Sequence, residues 1–263
     1  MKNRKMHPVK RFLPIAVVLV LTVLLTSGAY AEPGISVTQN GINIGTAQNP
    51  KDVAMSIQIL LLLTVLSLAP SILIMMTSFT RIIIILSFLR NALGTQQMPP
   101  NQVLIGLALF LTLFIMTPVG VQINDKAFQP FVKGEISQQA ALDNSSVIIK
   151  DWMLKQIPKS REKDIALFAS MAGTKLPVEK EKLPLNVVIP AFLISELKTA
   201  FQIGFLIYIP FLIIDMVVAS TLMSMGMMML PPIMISLPFK LLLFIMVDGW
   251  NLVVRSIVSG FIK

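Results

Sequence analysis

Apolar and polar positions fall in long blocks along this chain. Phe12–Thr26 is apolar and follows a basic start. Glu32–Pro50 is polar, rich in Gly, Asn and Thr, and predicts a loose segment. Val53–Met76 is apolar for longer than the roughly 18 residues that suffice for a membrane span. Asp52 is placed to cap it and Pro70 to kink it. Thr77–Leu93 follows as TSFTRIIIILSFLRNAL, in which Arg81 and Arg90 have no acidic neighbour. Gly94–Gln102 is a turn around Pro99-Pro100, and Val103–Val119 is a second span ended by Pro118 and Gly120.

Gln122–Asn186 is the one extended polar region, with ten basic and eight acidic residues. It reads as a small helical domain. One helix is expected to start at Ser160 as cap, to carry Glu162 and Asp164 in its first turn and to stop near Gly173. Ile165, Leu167, Phe168 and Met171 would pack it on Val147–Ile157, and Asn186 would cap the next helix.

Val187–Met223 is too long for one straight span: at 1.5 Å per residue it would run about 55 Å, against a hydrocarbon core near 30 Å. Pro210 is expected to break it. A tip follows, Met225-Gly226-Met227-Met228-Met229-Leu230-Pro231-Pro232, and Ile233–Ile262 forms the last arm, with Pro238 near its start. The fold class is thus all-α, a membrane protein of Pro-broken helical hairpins with a small helical extracytoplasmic domain. Its expected segments are 1–31, 32–52, 53–121, 122–186 and 187–263.

Composition supports this class. The 263 residues are 55% hydrophobic and 13% charged, where a soluble protein carries about 25% charged. Met1–Ala31 has the layout of a cleaved signal peptide: Lys2, Arg4, Lys5, Lys10 and Arg11, an apolar core, then Ala29-Tyr30-Ala31. Its removal would take five positive charges and bring the net charge from +9 to +4, so basicity gives no argument for nucleic acid. Cleavage would put the mature N-terminus and the 122–186 domain outside, and the 77–102 connection and the Met tip inside; acid-free Arg81 and Arg90 agree with that orientation. There is no cysteine, and the single histidine, His7, lies in the leader, which removes thiol and histidine–metal chemistry. No cofactor is expected.

The candidate chemistry is in charges set among apolar residues: Glu196, Lys198, Asp215, Lys240 and Asp248. Each costs roughly 2.5–3.5 kcal/mol at mid-membrane. Asp215 and Asp248 lack the surroundings of an intramembrane aspartyl pair, and Ser195 beside Glu196 has no histidine base. No GxxxxGK occurs. An enzyme is therefore not expected. Ion pairs between segments or subunits, such as Glu196 or Asp215 with Lys240, would set register and assembly; a proton or ion relay is the sharper alternative. A secondary transporter or channel binding a small solute near Glu196, Asp215 and Lys240 is the competing function. The methionine tip is either a turn that fills a core or a deformable seal where several copies meet on an axis.

PAFLISELKTAFQIGFL (190–206) and LPFKLLLFIMVDGW (237–250) resemble the two signature stretches of the flagellar biosynthetic protein FliP family, with Pro190, Phe192, Phe201, Gly204, Pro238, Gly249 and Trp250 among the matching residues. The resemblance implies a non-enzymatic subunit of the type III secretion export gate. It implies about five copies wound with FliQ-type and FliR-type subunits into a helical channel, in contact with other export-apparatus proteins, exported flagellar proteins and lipid, in the bacterial inner membrane and the flagellar basal body. It also implies that Met227, Met228 and Met229 form a pore gasket, and that the five charges lie at packed helix contacts.

Overall fold

The computed structural model describes residues 33–38, 41–46, 50–95, 97–173, 183–227 and 230–261. The expected leader, Met1–Ala31, lies outside the described residues, as do Met228 and Met229. The chain divides into two compact units, 1–68 and 69–263.

In the first unit, β1 (Pro33–Thr38) and β2 (Gly41–Thr46) pair antiparallel, with Ile35 opposite Ile44 and Val37 opposite Ile42. This replaces the loose segment expected there: β-branched residues alternate with small ones at the period of a strand. Helix α1 (Pro50–Met76) starts at the proline, so Asp52 falls inside its first turn instead of capping it. Pro70 lies within the helix, and the large apolar side chains from Ile57 to Leu68 are exposed.

The second unit is built around α2 (Phe79–Leu93). Read from sequence as part of a connection, it is the most buried helix. Ile82, Ile85, Leu86, Leu89 and Ala92 recur at three- and four-residue spacing and are at most 1% exposed. Gly94 closes it in the left-handed region (φ 76°), its N–H bonding to Asn91 O. Helix α3 (Asn101–Ile123) packs on α2 through Leu104, Ala108, Leu111 and Ile115. It does not stop at Pro118 or Gly120. It runs into a π-helical turn, Asn124–Phe128, and a short α4 (Gln129–Val132). A proline removes one ladder bond, and the apolar stripe continues on both sides of it.

The polar region is helical over most of its described part, up to Met171. α5 (Gln138–Gln156) is capped by Ser137, whose Oγ accepts from Ala140 N at 3.2 Å. α6 (Glu162–Met171) follows a 3₁₀ turn at Lys159–Arg161, so Ser160 is not its cap. Glu162 and Asp164 occupy its first turn, and Gly173 follows with φ 69°. Ile165 and Phe168 pack toward Met153 and Ile157; Leu167 and Met171 are exposed, and Ala169, one turn beyond Ile165, takes the inner place.

Helix α7 (Leu185–Ser224) is continuous over 40 residues with Pro190 and Pro210 inside it, about 60 Å at the standard rise. The break expected at Pro210 is absent, and Asn186 sits within the first turn. Its beginning shares a core with α5 and α6, where Val187, Val188, Ala191 and Phe192 meet Met153, Ile165 and Ala169. Its end is a paired-bond C-cap: Gly226 (φ 75°) donates to Met223 O and Met227 N to Leu222 O, each at 3.0 Å. Helix α8 (Pro232–Met246) packs back on α7 with Pro238 inside it. The last arm is not single. It bends by 65° at Val247-Asp248, where Asp248 adopts φ 49°, and continues as α9 (Gly249–Ser259). Between Leu185 and Ser259, then, the described helices end at Met225-Gly226 and at Val247-Asp248, while Pro190, Pro210 and Pro238 lie inside helices. Ile57–Met76, Asn101–Val132 and Leu185–Ser224 are long and apolar enough to cross a membrane, and α8 and α9 reach that length only together, as a pair bent like a broken span or a re-entrant loop.

Candidate functional site

The charges that the apolar pattern singled out meet at three places along α7. The deepest is the contact between α2 and α7. Arg81 Nε donates to Glu196 Oε2 at 2.8 Å, and Nη2 donates to Oε1 in a two-pronged ion pair. The side chains are 4% and 0% exposed. Glu196 therefore pairs with Arg81, not with Lys240. Arg81 Nη1 also donates to Gly260 O at 3.4 Å, and its guanidinium carbon lies 3.8 Å from the centre of the Phe261 ring. Trp152 of α5 stacks with Phe261, their ring centres 6.4 Å apart with 11° between the planes, and lies 5.5 Å from the Phe192 ring. One buried cation thus gathers α2, α5, α7 and the end of the chain.

The second place docks the polar region on α7. Lys198 Nζ donates to Asp164 Oδ1 at 2.6 Å and to Oδ2 at 2.9 Å. Lys198, expected to be buried, is 45% exposed: lying two residues from Glu196, it faces away from the α2 seam. Arg161 Nη1 donates to Ser195 O at 2.7 Å and to Thr199 Oγ1, and Nη2 to Gln202 Oε1 at 2.5 Å.

The third place joins α7 to α8. Lys240 Nζ donates to Asp215 Oδ2 at 2.6 Å and to Ala92 O at 3.1 Å; Ser236 donates to Asp215 Oδ1 at 2.5 Å. Lys240 is 3% exposed and Asp215 24%. Asp248 joins none of these. It is exposed at the α8–α9 break, and its side chain makes no cap bond to α9. The bend between it and Lys240 removes the common helix face that their spacing implied.

Glycines permit the close approaches. A Cβ at Gly204 would sit 2.6 Å from Phe88 Cγ, and one at Gly249 would sit 2.2 Å from Phe244 Cδ2. Phe201 meets Phe88 edge to face at 5.5 Å, as Trp250 meets Phe244. Pro190 and Pro238 lie in helical turns of α7 and α8. At the tip, Met225 and Met227 are exposed; Met228 and Met229 lie outside the described residues.

The sequence marked Arg81 only as an acid-free cation and Asp164 only as a first-turn residue, and it did not mark Trp152, Arg161 or Phe261. Arg81 had a usable signal: a cation within an apolar helix requires a carboxylate from another apolar segment, and Glu196 required the converse. Nothing in the local pattern marks Trp152 or Phe261.

Several helices fit to cross a membrane, with charges neutralised in pairs between them, define a multi-helix membrane-embedded protein. Comparison with known proteins gives the particular kind. The FliP family matches residues 62–257. The chain is 58% identical over 220 residues to "Flagellar biosynthetic protein FliP" of Bacillus subtilis (strain 168), covering 84% of this chain and 98% of that protein. It is 55% identical over 207 residues to the protein of that name from Pectobacterium carotovorum subsp. carotovorum, 79% of each. It is 49% identical over 245 residues to that of Aquifex aeolicus (strain VF5), covering 92% and 98%. The chain belongs to the FliP family, and its place is in the flagellar export apparatus.

Proposed function

We propose that the protein is a core subunit of the flagellar type III export gate, a passive gated channel for unfolded flagellar proteins in the bacterial inner membrane at the flagellar basal body. Family membership across residues 62–257 carries this reading. About five copies would wind with FliQ-type and FliR-type subunits around one axis. The exposed Phe205, Leu206, Ile213, Met216 and Val217 of α7 and Phe239 and Leu242 of α8 supply apolar surface for those neighbours. The solute-carrier alternative is weakened because Glu196, Asp215 and Lys240 are already engaged with protein partners. The test is the native mass of the gently solubilised complex after co-expression with neighbouring secretion genes. Several copies together with smaller companion subunits are expected; a monomer or dimer without companions overturns the reading.

Within that channel, Met227, Met228 and Met229 would form the gasket, since thioether side chains deform around varied cargo. Replacing all three by Ala is expected to let small ions leak through assembled complexes. An assembled complex as tight as the wild type removes the gasket role.

A further inference from the structure

Three cations set among the apolar helices are answered by carboxylates, while Asp248 and Arg255, which have no ion pair among the described residues, are exposed. Arg81 is answered by Glu196, Lys240 by Asp215 and Lys198 by Asp164. Arg90, in the last turn of α2, has no carboxylate within ion-pair distance among the described residues. It is half-buried. Its Nη1 donates to Asn101 Oδ1 at 2.6 Å and to Pro99 O at 3.3 Å, both neutral acceptors. Its Nε is buried and has no hydrogen-bond partner. A charged donor taken out of water in this way forfeits hydration without return, which native structures seldom tolerate unless a partner arrives.

The surroundings indicate which partner. Arg90 lines an open pocket of about 470 Å³ with Gln97, Met98, Pro100, Asn101 and Gln102. Among the described residues, no acidic side chain lines it. The pocket also holds the first turn of α3, which contains no acidic residue, so the positive end of that helix adds to the guanidinium. A guanidinium with free donors, side-chain amides and a helix N-terminus together select a planar two-oxygen anion. Gly94, four residues after Arg90, lies beside the start of α8: a Cβ there would lie 3.6 Å from Leu237 Cδ1 and 4.0 Å from Ile233 Cγ2. Met98, at the pocket's rim, is 64% exposed, an apolar contact suited to a packed protein surface.

We infer that this pocket receives an Asp or Glu side chain from a neighbouring subunit, with Arg90 as its ion-pair partner. The inference rests on the multi-subunit assembly proposed above. Arg90→Lys converts the contact into one that carbodiimide can trap. The activated carboxylate forms an amide bond with the introduced amine, and its lost oxygen leaves in the urea. Arginine does not react this way, so the wild-type complex is the baseline. In the intact co-expressed complex, mass spectrometry is expected to find a new link from position 90 to an Asp or Glu of another chain. A photo-reactive residue in place of Met98, with Arg90 intact, is expected to label the same neighbour, which covers the case that Arg90→Lys does not assemble. Arg90→Gln is expected to lower complex yield several-fold while insertion of the single chain is unchanged.

A complex that forms but gives neither link overturns the pocket assignment and leaves the export-gate reading standing. So does labelling confined to lipid, which would make the site a headgroup site. Absence of any wild-type complex overturns both.

Discussion

The two halves of α7 are both mostly apolar and have opposite surroundings. From Val187 to Gly204 the helix is buried against α2, α5 and α6; from Phe205 to Met223 most of its large side chains are open. The difference lies in residue size and charge. The buried half carries Ala191, Ser195, Ala200 and Gly204 at spacings of four and five residues, a stripe of small side chains along which α2 can approach. Glu196 lies on that same side. The open half runs through Phe205, Leu206, Ile213, Met216 and Val217, and its only charge, Asp215, is taken by Lys240. Hydropathy makes both halves spans. Small residues and a charge mark the half that belongs to the protein's own core.

The largest effect should come from breaking the buried half at its ion pair. Glu196→Ala leaves Arg81 buried and unpaired, a loss of about 3–5 kcal/mol. Lys198→Ala, two residues along on the exposed side, is expected to cost under about 1 kcal/mol. Denaturation of the detergent-solubilised chain would compare them, and equal losses would contradict the division between the two faces. Next is Gly204→Val, which drives a side chain into Phe88 and is expected to cost about 1–3 kcal/mol. Phe88→Ala in the same chain should recover part of that loss; no recovery would place the strain elsewhere. The smallest effect is expected on the open half: Ile213→Ala should change the stability of the isolated chain by no more than about 0.5 kcal/mol. A loss comparable to that of Glu196→Ala would show that this face is already packed.

Much of this was legible in the sequence. The membrane class and the helices in the described part of 122–186 followed from composition and block pattern. The pairing was less legible. Glu196 and Arg81 are separated by more than a hundred residues, and no local period records that they meet. Pro118 and Pro210 misled, because each removes one ladder bond from a helix whose hydrogen-bonded backbone and apolar run continue on both sides of it. Conversely, the 65° bend came at Val247-Asp248, where no proline signals it. Arg81 and Arg90 looked alike in sequence as acid-free cations. Only the fold separates Arg81, answered by Glu196, from Arg90, which has no carboxylate partner among the described residues.

The most direct test of the contrast along α7 is site-specific photo-crosslinking in the assembled complex. Probes replace Phe205, Ile213 or Met216 on the open half, and Val188 or Ala200 on the buried half. The open positions are expected to link to other protein chains and the buried ones only within the same chain. Open positions that label lipid alone would show that this face is a bilayer surface, and would contradict its role in assembly.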